Sequence, residues 1–226
     1  MGEGRRLEID GVLSYNIRIR SVLLLIPSAV FAQPSLEAAT VTLHDATASH
    51  TPHSVVDFWK TAGPKRWFAK NDTFDATFRD RFYATHLQAA RRELEGWLDS
   101  AEGALALLIL LDQFPRNAFR GTAHMFATDP LARLYAERLL DAGLDQQVEP
   151  ALRAFCYLPF EHSEDPADQQ RSMDLNQHLD ASTYHWAKEH ARIIERFGRF
   201  PHRNAVLARV TTAEEQTFLD AGGFAG

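Results

Sequence analysis

Two segments of the chain share a short pattern that ends in polar side chains. Residues 114–117 read Phe-Pro-Arg-Asn, and residues 200–204 read Phe-Pro-His-Arg-Asn. In each, the aromatic side chain can anchor the loop and proline restricts its backbone, so the arginine can present a planar fork to a carboxylate or phosphate. Two interpretations stay open. Arg116 and Arg203 converge on one anionic ligand, or each pairs with an acidic residue of another helix while the asparagines bond backbone groups or cap helices.

The two loops therefore supply the candidates for ligand binding. Each offers cationic or amide donors next to an apolar anchor, which suits a small anion. The candidate ligand-binding residues are Arg116, Asn117, Arg120, His202, Arg203 and Asn204.

A third segment, residues 157–165, passes from apolar residues into a dense polar cluster. Carboxylates beside an imidazole can tune a histidine for proton transfer, position a water or bind a divalent metal. The spacing matches no known metal motif, and the single cysteine, Cys156, excludes a cysteine-based zinc site. We therefore predict no metal and no cofactor. His162, Glu161 and Glu164 are the catalytic candidates, and the alternative is a charged helix–loop junction paired with the arginines of the other two loops.

Helices must position these three segments. Ser100 precedes a run that is apolar on nearly all sides, which predicts a central buried helix ending at Pro115, because proline lacks an amide hydrogen and clashes with the preceding turn. Asp129 and Asp165, each followed by proline, predict helix N-caps. No run alternates like a strand, so the predicted fold class is all-α with no sheet, either a multi-helix bundle or a stack of helices.

Composition limits the partners and the domain organisation. The chain has 226 residues and a formal net charge of −6, which argues against sequence-independent nucleic-acid binding. No stretch reaches the roughly 18 apolar residues of a membrane-spanning helix. Clear helix starts and stops begin at Pro52, so we predict one all-α domain over residues 52–226 and an N-terminal extension over residues 1–51. Residues 18–32 have the basic, apolar, small-residue order of a secretory signal, so this extension is either signal-like or disordered.

Several blocks together resemble a known family. They are Val-Asp-Phe-Trp at residues 56–59, Lys-Arg-Trp-Phe at 65–68, Leu-Asp-Gln-Phe-Pro-Arg-Asn-Ala-Phe-Arg-Gly-Thr at 111–122, Leu-Pro-Phe-Glu-His-Ser-Glu-Asp at 158–165 and Arg-Phe-Gly-Arg-Phe-Pro-His-Arg-Asn at 196–204. In this order, over about residues 52–224, they resemble the bacterial domain-of-unknown-function family nine-two-four. The resemblance implies an all-α, tetratricopeptide-like fold and brings no established activity, substrate or cofactor. It also implies a cytoplasmic location, with export as the alternative if residues 18–32 form a true signal.

Two functions follow as predictions, and the sequence does not decide whether the protein is an enzyme. The first is a site for a small anionic molecule formed by the three loop segments, where acid–base chemistry is the reaction class. The second is a tetratricopeptide-like scaffold for a protein partner, although no repeat of about 34 residues is legible. A pocket formed by the named residues would favour the first function, and an exposed apolar groove elsewhere would favour the second.

Overall fold

The structure, a computed structural model, describes residues 50–224, and this part of the chain contains helices and no strand. The all-α prediction is confirmed, whereas the tetratricopeptide-like arrangement stays a prediction. The interpretation of residues 1–49 as an extension or signal lies outside the described residues. The α-helices are α1 (Pro52–Ala62), α2 (Pro64–Trp67), α3 (Asp72–Ala90), α4 (Ala101–Leu108), α5 (Phe114–Ala118), α6 (Asp129–Asp141), α7 (Leu158–Glu161), α8 (Pro166–Asn176), α9 (Ala181–Phe197) and α10 (Ala213–Asp220).

Shorter 3-10 segments connect these helices, and local capping explains where several helices begin. The 3-10 segments are Glu95–Asp99, Ala123–Phe126, Leu144–Gln147, Pro150–Cys156 and Pro201–Arg203. Ser100 caps α4 by accepting a hydrogen bond from the Gly103 amide at 3.1 Å, and Asp165 caps α8 through the Ala167 amide at 2.8 Å, both as the sequence predicts. These caps fix the entry of the central helix and the exit of the acidic segment.

The central apolar helix does not end at Pro115, so that prediction was wrong. After α4 the chain makes a π-helical turn, Ile109–Gln113, in which the Phe114 amide donates to the Ile109 carbonyl, and α5 follows directly. Pro115 thus occupies the first turn of α5, where a missing amide hydrogen costs nothing. Because the helical path continues, Asp112 and Arg116 come to lie side by side. Turns of this kind occur often at functional sites.

Asp129 does not act as the predicted cap of α6. Thr128 occupies the cap position without a side-chain cap bond, and its hydroxyl donates to the Leu111 carbonyl at 2.5 Å instead. The Asp129 carboxylate accepts two hydrogen bonds from Arg116. A nearby guanidinium is a stronger partner for a carboxylate than a helix amide, because both groups are charged.

Two apolar clusters hold the described helices. The first core runs through α1, α3, α4, the π-turn, α6 and α7, and its largest fully buried side chains include Trp59, Phe78, Leu107, Tyr135 and Phe160. The second core contains Ile193, Ile194 and Phe200, with Phe197, Phe218 and Phe224 packed against it. Helix α8 packs against both α7 and α9. Within residues 50–224, none of the helices is long and apolar enough to cross a membrane.

Candidate functional site

The arginines of the two echoing loops lie on the same carboxylate. Arg116 on α5 donates to both oxygens of Asp129, from Nη1 at 2.8 Å and from Nη2 at 2.9 Å. Arg203, in the 3-10 segment Pro201–Arg203, has its Nη1 atom 3.7 Å from Oδ2 of Asp129. We call Arg116 and Arg203 the arginine pair. Their shared contact with Asp129 joins a loop next to the first core to a loop next to the second.

Arg203 is a buried cation that has few polar partners among the described residues. The residue is 6% exposed, and its guanidinium carbon lies 4.5 Å from the ring centre of Phe126 and 4.4 Å from that of Phe200. Among residues 50–224 it donates no hydrogen bond, and its Nε atom is buried without an acceptor. Burial, and then the charge of Arg116, lower the pKa of Arg203 to about 10, so it stays protonated at neutral pH. The two aromatic rings therefore hold the plane of the Arg203 guanidinium in place.

Asp112 holds His162 in a defined orientation. Asp112 lies in the π-turn, is 1% exposed, and accepts from His162 Nδ1 at 2.8 Å and from Gln113 Nε2 at 2.6 Å. Burial favours a higher pKa, but the charge of Arg116, together with the hydrogen bonds from His162 and Gln113, outweighs it and lowers the pKa of Asp112 to about 2. The carboxylate is therefore charged and requires a proton on Nδ1. The Asp112–His162 pair leaves the Nε2 lone pair of His162 open.

His162 itself is neutral at physiological pH. Burial, and then the positive charge of Arg116, lower the pKa of the His162 imidazole to about 4, although Asp112 opposes them. A neutral imidazole with an oriented ring can accept a proton. His162 is thus a base rather than an acid at neutral pH.

Glu161 and His190 form a second buried pair. Glu161 is 4% exposed, and its Oε1 lies 3.1 Å from Nδ1 of His190, which also donates to the Trp186 carbonyl at 2.9 Å. Burial, and then the charge of Asp112, raise the pKa of Glu161 to about 8, whereas burial lowers that of His190 to about 4. Both directions describe an uncharged pair at neutral pH. Glu161 is thus a protonated carboxyl group that contacts His190 and lies within the influence of the Asp112 charge.

His202 is the third neutral histidine of the cluster. Burial, and then the charge of Arg203, lower the pKa of His202 to about 3. Its Nδ1 atom is buried and has no hydrogen-bond partner in the described part of the chain. Its ring centre lies 5.7 Å from that of Phe200 and 5.3 Å from that of Phe224. His162, His190 and His202 therefore lie within the influence of the arginine pair without adding positive charge to it.

Asn117 and Arg120 lie away from this cluster. Asn117 donates to one oxygen of Asp75 at 2.7 Å, and Arg120 donates to the other at 3.2 Å. Asp75 belongs to α3, so these two side chains brace α5 against that helix. The structure does not bring these two ligand-binding candidates to Asp129.

Glu164 and Asn204 hold the C-terminal loop in place. Glu164 accepts from Arg209 Nη1 at 2.7 Å, from Arg209 Nη2 at 3.0 Å and from the Phe200 amide at 2.8 Å. Although burial acts to raise it, the pKa of Glu164 is lowered, because the hydrogen bonds from Arg209 and the Phe200 amide and the charges of Arg209 and Arg203 together outweigh burial. Asn204 donates to Glu215 at 3.2 Å. The catalytic candidate Glu164 thus positions Phe200, which stacks on Arg203, and does not approach as a free base.

Sequence reasoning left three members of the cluster out of the candidate list. Asp112 lies four residues before Arg116, the spacing of a helical ion pair, and this spacing could have placed it beside that arginine. Asp129 was assigned to a cap. His190 recurs at helical spacing with the buried Ala187 and Ile194 of α9, and this period could have placed it on the inner face.

We expect the protein to be most stable at about pH 7, where the opposing proton differences of the buried histidines and Glu161 cancel. His162, His190 and His202 have folded pKa values of about 4, 4 and 3, against 6.5 for an ordinary histidine. The unfolded chain therefore binds more protons below pH 6.5, and stability falls as the pH is lowered. Glu161 acts in the opposite direction, because its pKa rises from 4.5 to about 8, so its contribution is lost as the pH rises through that range.

Near pH 5 the unfolded chain binds about two protons more than the folded chain, so the free energy of unfolding changes by about 2–3 kcal/mol per pH unit. Urea unfolding at half-unit steps between about pH 4.5 and 8 measures this slope. A free energy of unfolding that stays constant between pH 5 and 6.5 would contradict the assignment of three neutral buried histidines.

Comparison with known proteins places the chain in a family. The family described as "Bacterial protein of unknown function (DUF924)" matches residues 55–223. The solved structure of the protein of unknown function ATU0120 from Agrobacterium tumefaciens is similar, with 59% sequence identity, a TM-score of 0.75, and coverage of 76% of this chain and 97% of that one. No curated protein matches the chain. Because the match spans most of the chain and includes all three polar segments, the protein belongs to the DUF924 family of bacterial proteins of unknown function.

Proposed function

We propose that this protein binds a small anionic molecule, through a phosphate or carboxylate group, at the arginine pair. The observation that carries the proposal is Arg203. A guanidinium has five N–H donors, and Arg203 uses none of them in a hydrogen bond to any residue between 50 and 224 although it is 6% exposed. The Nε atom is the one that is buried without an acceptor, and leaving a buried polar group unsatisfied costs about 1–3 kcal/mol, and more for a charged group. An oxyanion would supply the missing acceptors.

The surroundings of Arg203 support an anion as the ligand. Phe126 and Phe200 hold the guanidinium plane between two rings, so little side-chain freedom remains to be lost on binding. Both oxygens of Asp129 already accept hydrogen bonds from Arg116, so the N–H groups of Arg203 stay available for a ligand. Arg116 adds a second positive charge on the same carboxylate.

Acid–base chemistry on the bound anion is the reaction class that this site supports. The Asp112–His162 pair is linked to the arginine pair, because Arg116 Nη1 lies 3.2 Å from the Asp112 oxygen that His162 contacts. The open Nε2 of His162 can take a proton, and the Glu161 carboxyl group, whose pKa burial raises to about 8, lies next to it in the chain and contacts His190. Of the catalytic candidates, His162 and Glu161 belong to this proposal, and Glu164 belongs to the support of the loop.

A thermal-shift screen with inorganic phosphate, organic acids, nucleotides and divalent metals tests the proposal. A ligand at about 100 times its dissociation constant adds roughly 2.7 kcal/mol of apparent stability. We expect phosphate or an organic acid to raise the melting temperature of the wild type and of Arg120→Met, which removes an arginine outside the site. Arg203→Met keeps an apolar stem between the two rings but removes the fork, and it should abolish the shift.

One observation favours the alternative, a tetratricopeptide-like scaffold for a protein partner. A groove of about 550 Å³ runs along α9 and α10, and Trp186, which is 48% exposed, lies on it with Ile193, Phe197 and Phe218. If no anion in the screen changes the melting temperature of the wild type, the scaffold function is favoured over the anion site. For both functions we propose a cytoplasmic location, and export depends on residues 18–32.

A further inference from the structure

We infer that the anion binds together with one proton, which His162 takes up on Nε2 while Asp112 stabilises the resulting imidazolium from the other side of the ring. This inference rests on the proposed anion site and deepens it. It names His162 as the proton acceptor and Asp112 as the residue that positions it. The ligand class is an oxyanion that can accept a hydrogen bond from the protonated Nε2.

The geometry of the Asp112–His162 pair supports proton uptake. The buried Asp112 carboxylate accepts from Nδ1 at 2.8 Å, so the proton of the neutral ring sits on Nδ1 and the lone pair sits on Nε2. Within the described chain, Nε2 has no hydrogen-bond partner, and the side chain is 14% exposed. A buried carboxylate on Nδ1 fixes the tautomer and stabilises the imidazolium that forms when Nε2 gains a proton.

Charges around His162 explain why the proton is absent without a ligand. Arg116 lies 3.2 Å from the same Asp112 oxygen, and its charge, after burial, keeps the pKa of His162 near 4. An anion at the arginine pair brings negative charge that opposes Arg116. Asp112, Arg116 and Asp129 act on His162 directly, and the rings of His190, with its centre 6.3 Å away, and His202 lie nearby. Glu161 and Arg203 are one contact further, through His190 and Asp129 respectively.

Binding and protonation must then strengthen each other equally. If the anion raises the affinity of His162 for a proton by some factor, protonation raises the affinity for the anion by the same factor. The proton comes from solvent, and no bond of the anion is broken. The complex holds an imidazolium beside the bound oxyanion, which is the arrangement of a general acid ready to protonate a ligand oxygen.

Calorimetric titration with sulfate tests this coupling, because sulfate does not titrate between pH 5 and 8. Measurements at one pH in buffers of different ionisation enthalpy give the number of protons taken up. We expect uptake approaching one proton per sulfate at about pH 6, and an affinity that rises up to about tenfold per pH unit as the pH falls. His162→Gln should bind sulfate without uptake, and the exposed His53→Gln should behave as the wild type.

A second readout does not depend on a variant that folds. The ring-nitrogen resonances of His162 in the wild type should move toward the imidazolium values when sulfate is added, while those of His53 stay constant. Sulfate binding without proton uptake, or uptake that persists in His162→Gln, overturns the inference and leaves the anion site standing. Absence of sulfate binding at every pH overturns the proposed anion site and the inference with it.

Discussion

Replacing Arg116 by methionine is expected to lower the free energy of unfolding by about 3–5 kcal/mol, because breaking a buried ion pair leaves an uncompensated charge. Arg116 donates to both oxygens of Asp129 and to the backbone carbonyl of Asp112, and it also contacts the Asp112 carboxylate. Methionine keeps most of the apolar stem but removes every donor. Urea unfolding of the wild type and the variant at pH 7 measures the loss.

Arg203→Met should behave differently, although both arginines contact Asp129. Arg203 donates no hydrogen bond to residues 50–224. Removing it ends the cost of burying its charge and the repulsion with Arg116, and these gains offset the lost attraction to Asp129 at 3.7 Å. Sites held ready for a ligand are often strained without it. We therefore expect the free energy of unfolding of Arg203→Met to stay within about 1 kcal/mol of the wild type or to rise.

The contrast between the two arginines distinguishes a ligand site from a structural ion-pair network. Equal losses of several kcal/mol for Arg116→Met and Arg203→Met would mean that both serve stability alone. A second comparison isolates the orphaned charge. Adding Asp129→Asn to Arg116→Met should recover part of the lost stability, because one of the two carboxylates left without Arg116, the partly buried Asp129, is then neutral.

The features that sequence predicted well are local ones. Ser100 and Asp165 cap their helices because a side-chain oxygen and an amide two or three residues later suffice, and these partners are fixed by the chain itself. The long apolar run before Pro115 had to be buried whatever its neighbours. The resemblance to the family and the all-α fold class were likewise available from the printed residues.

The features that sequence missed depend on distant partners. Pro115 indicated a helix end, but the π-turn before it lets the helical path continue and brings Asp112 next to Arg116. An aspartate before proline is a common cap, yet Asp129 meets two guanidinium groups that only the folded chain brings near it. The neutral state of three histidines follows from burial, which no spacing in the sequence reveals.

In the pattern shared by the two loops, the arginines have a common partner in the folded protein and the asparagines do not. Both arginines reach Asp129, as a shared site requires. The following asparagines diverge, because Asn117 faces Asp75 of α3 whereas Asn204 faces Glu215 of α10. A repeated motif fixes the local direction of a side chain, and the surrounding helices decide its partner.

Asp112→Asn is expected to cost about 3–5 kcal/mol, since the Asp112 carboxylate is the buried negative charge against which Arg116 and His162 are placed. Asparagine has the same shape but cannot balance the guanidinium. In the wild type this contribution is present above pH 3.8 and is lost as the pH falls toward the folded pKa of about 2. The variant should lack that acid-dependent loss.

Asp145→Asn provides a matched control for this substitution. Asp145 is also buried, but within residues 50–224 its carboxylate accepts only from neutral donors, the Tyr157 hydroxyl at 2.8 Å and Gln146 Nε2 at 2.6 Å. Its loss should cost no more than about 1–3 kcal/mol, the range for a buried hydrogen-bonded group. Equal losses for the two variants in urea unfolding would show that Asp112 acts as an ordinary hydrogen-bond acceptor. A clearly larger loss of stability for Asp112→Asn, together with a changed His162 ring-nitrogen resonance, would show that the negative charge of Asp112 orients the His162 imidazole and balances Arg116.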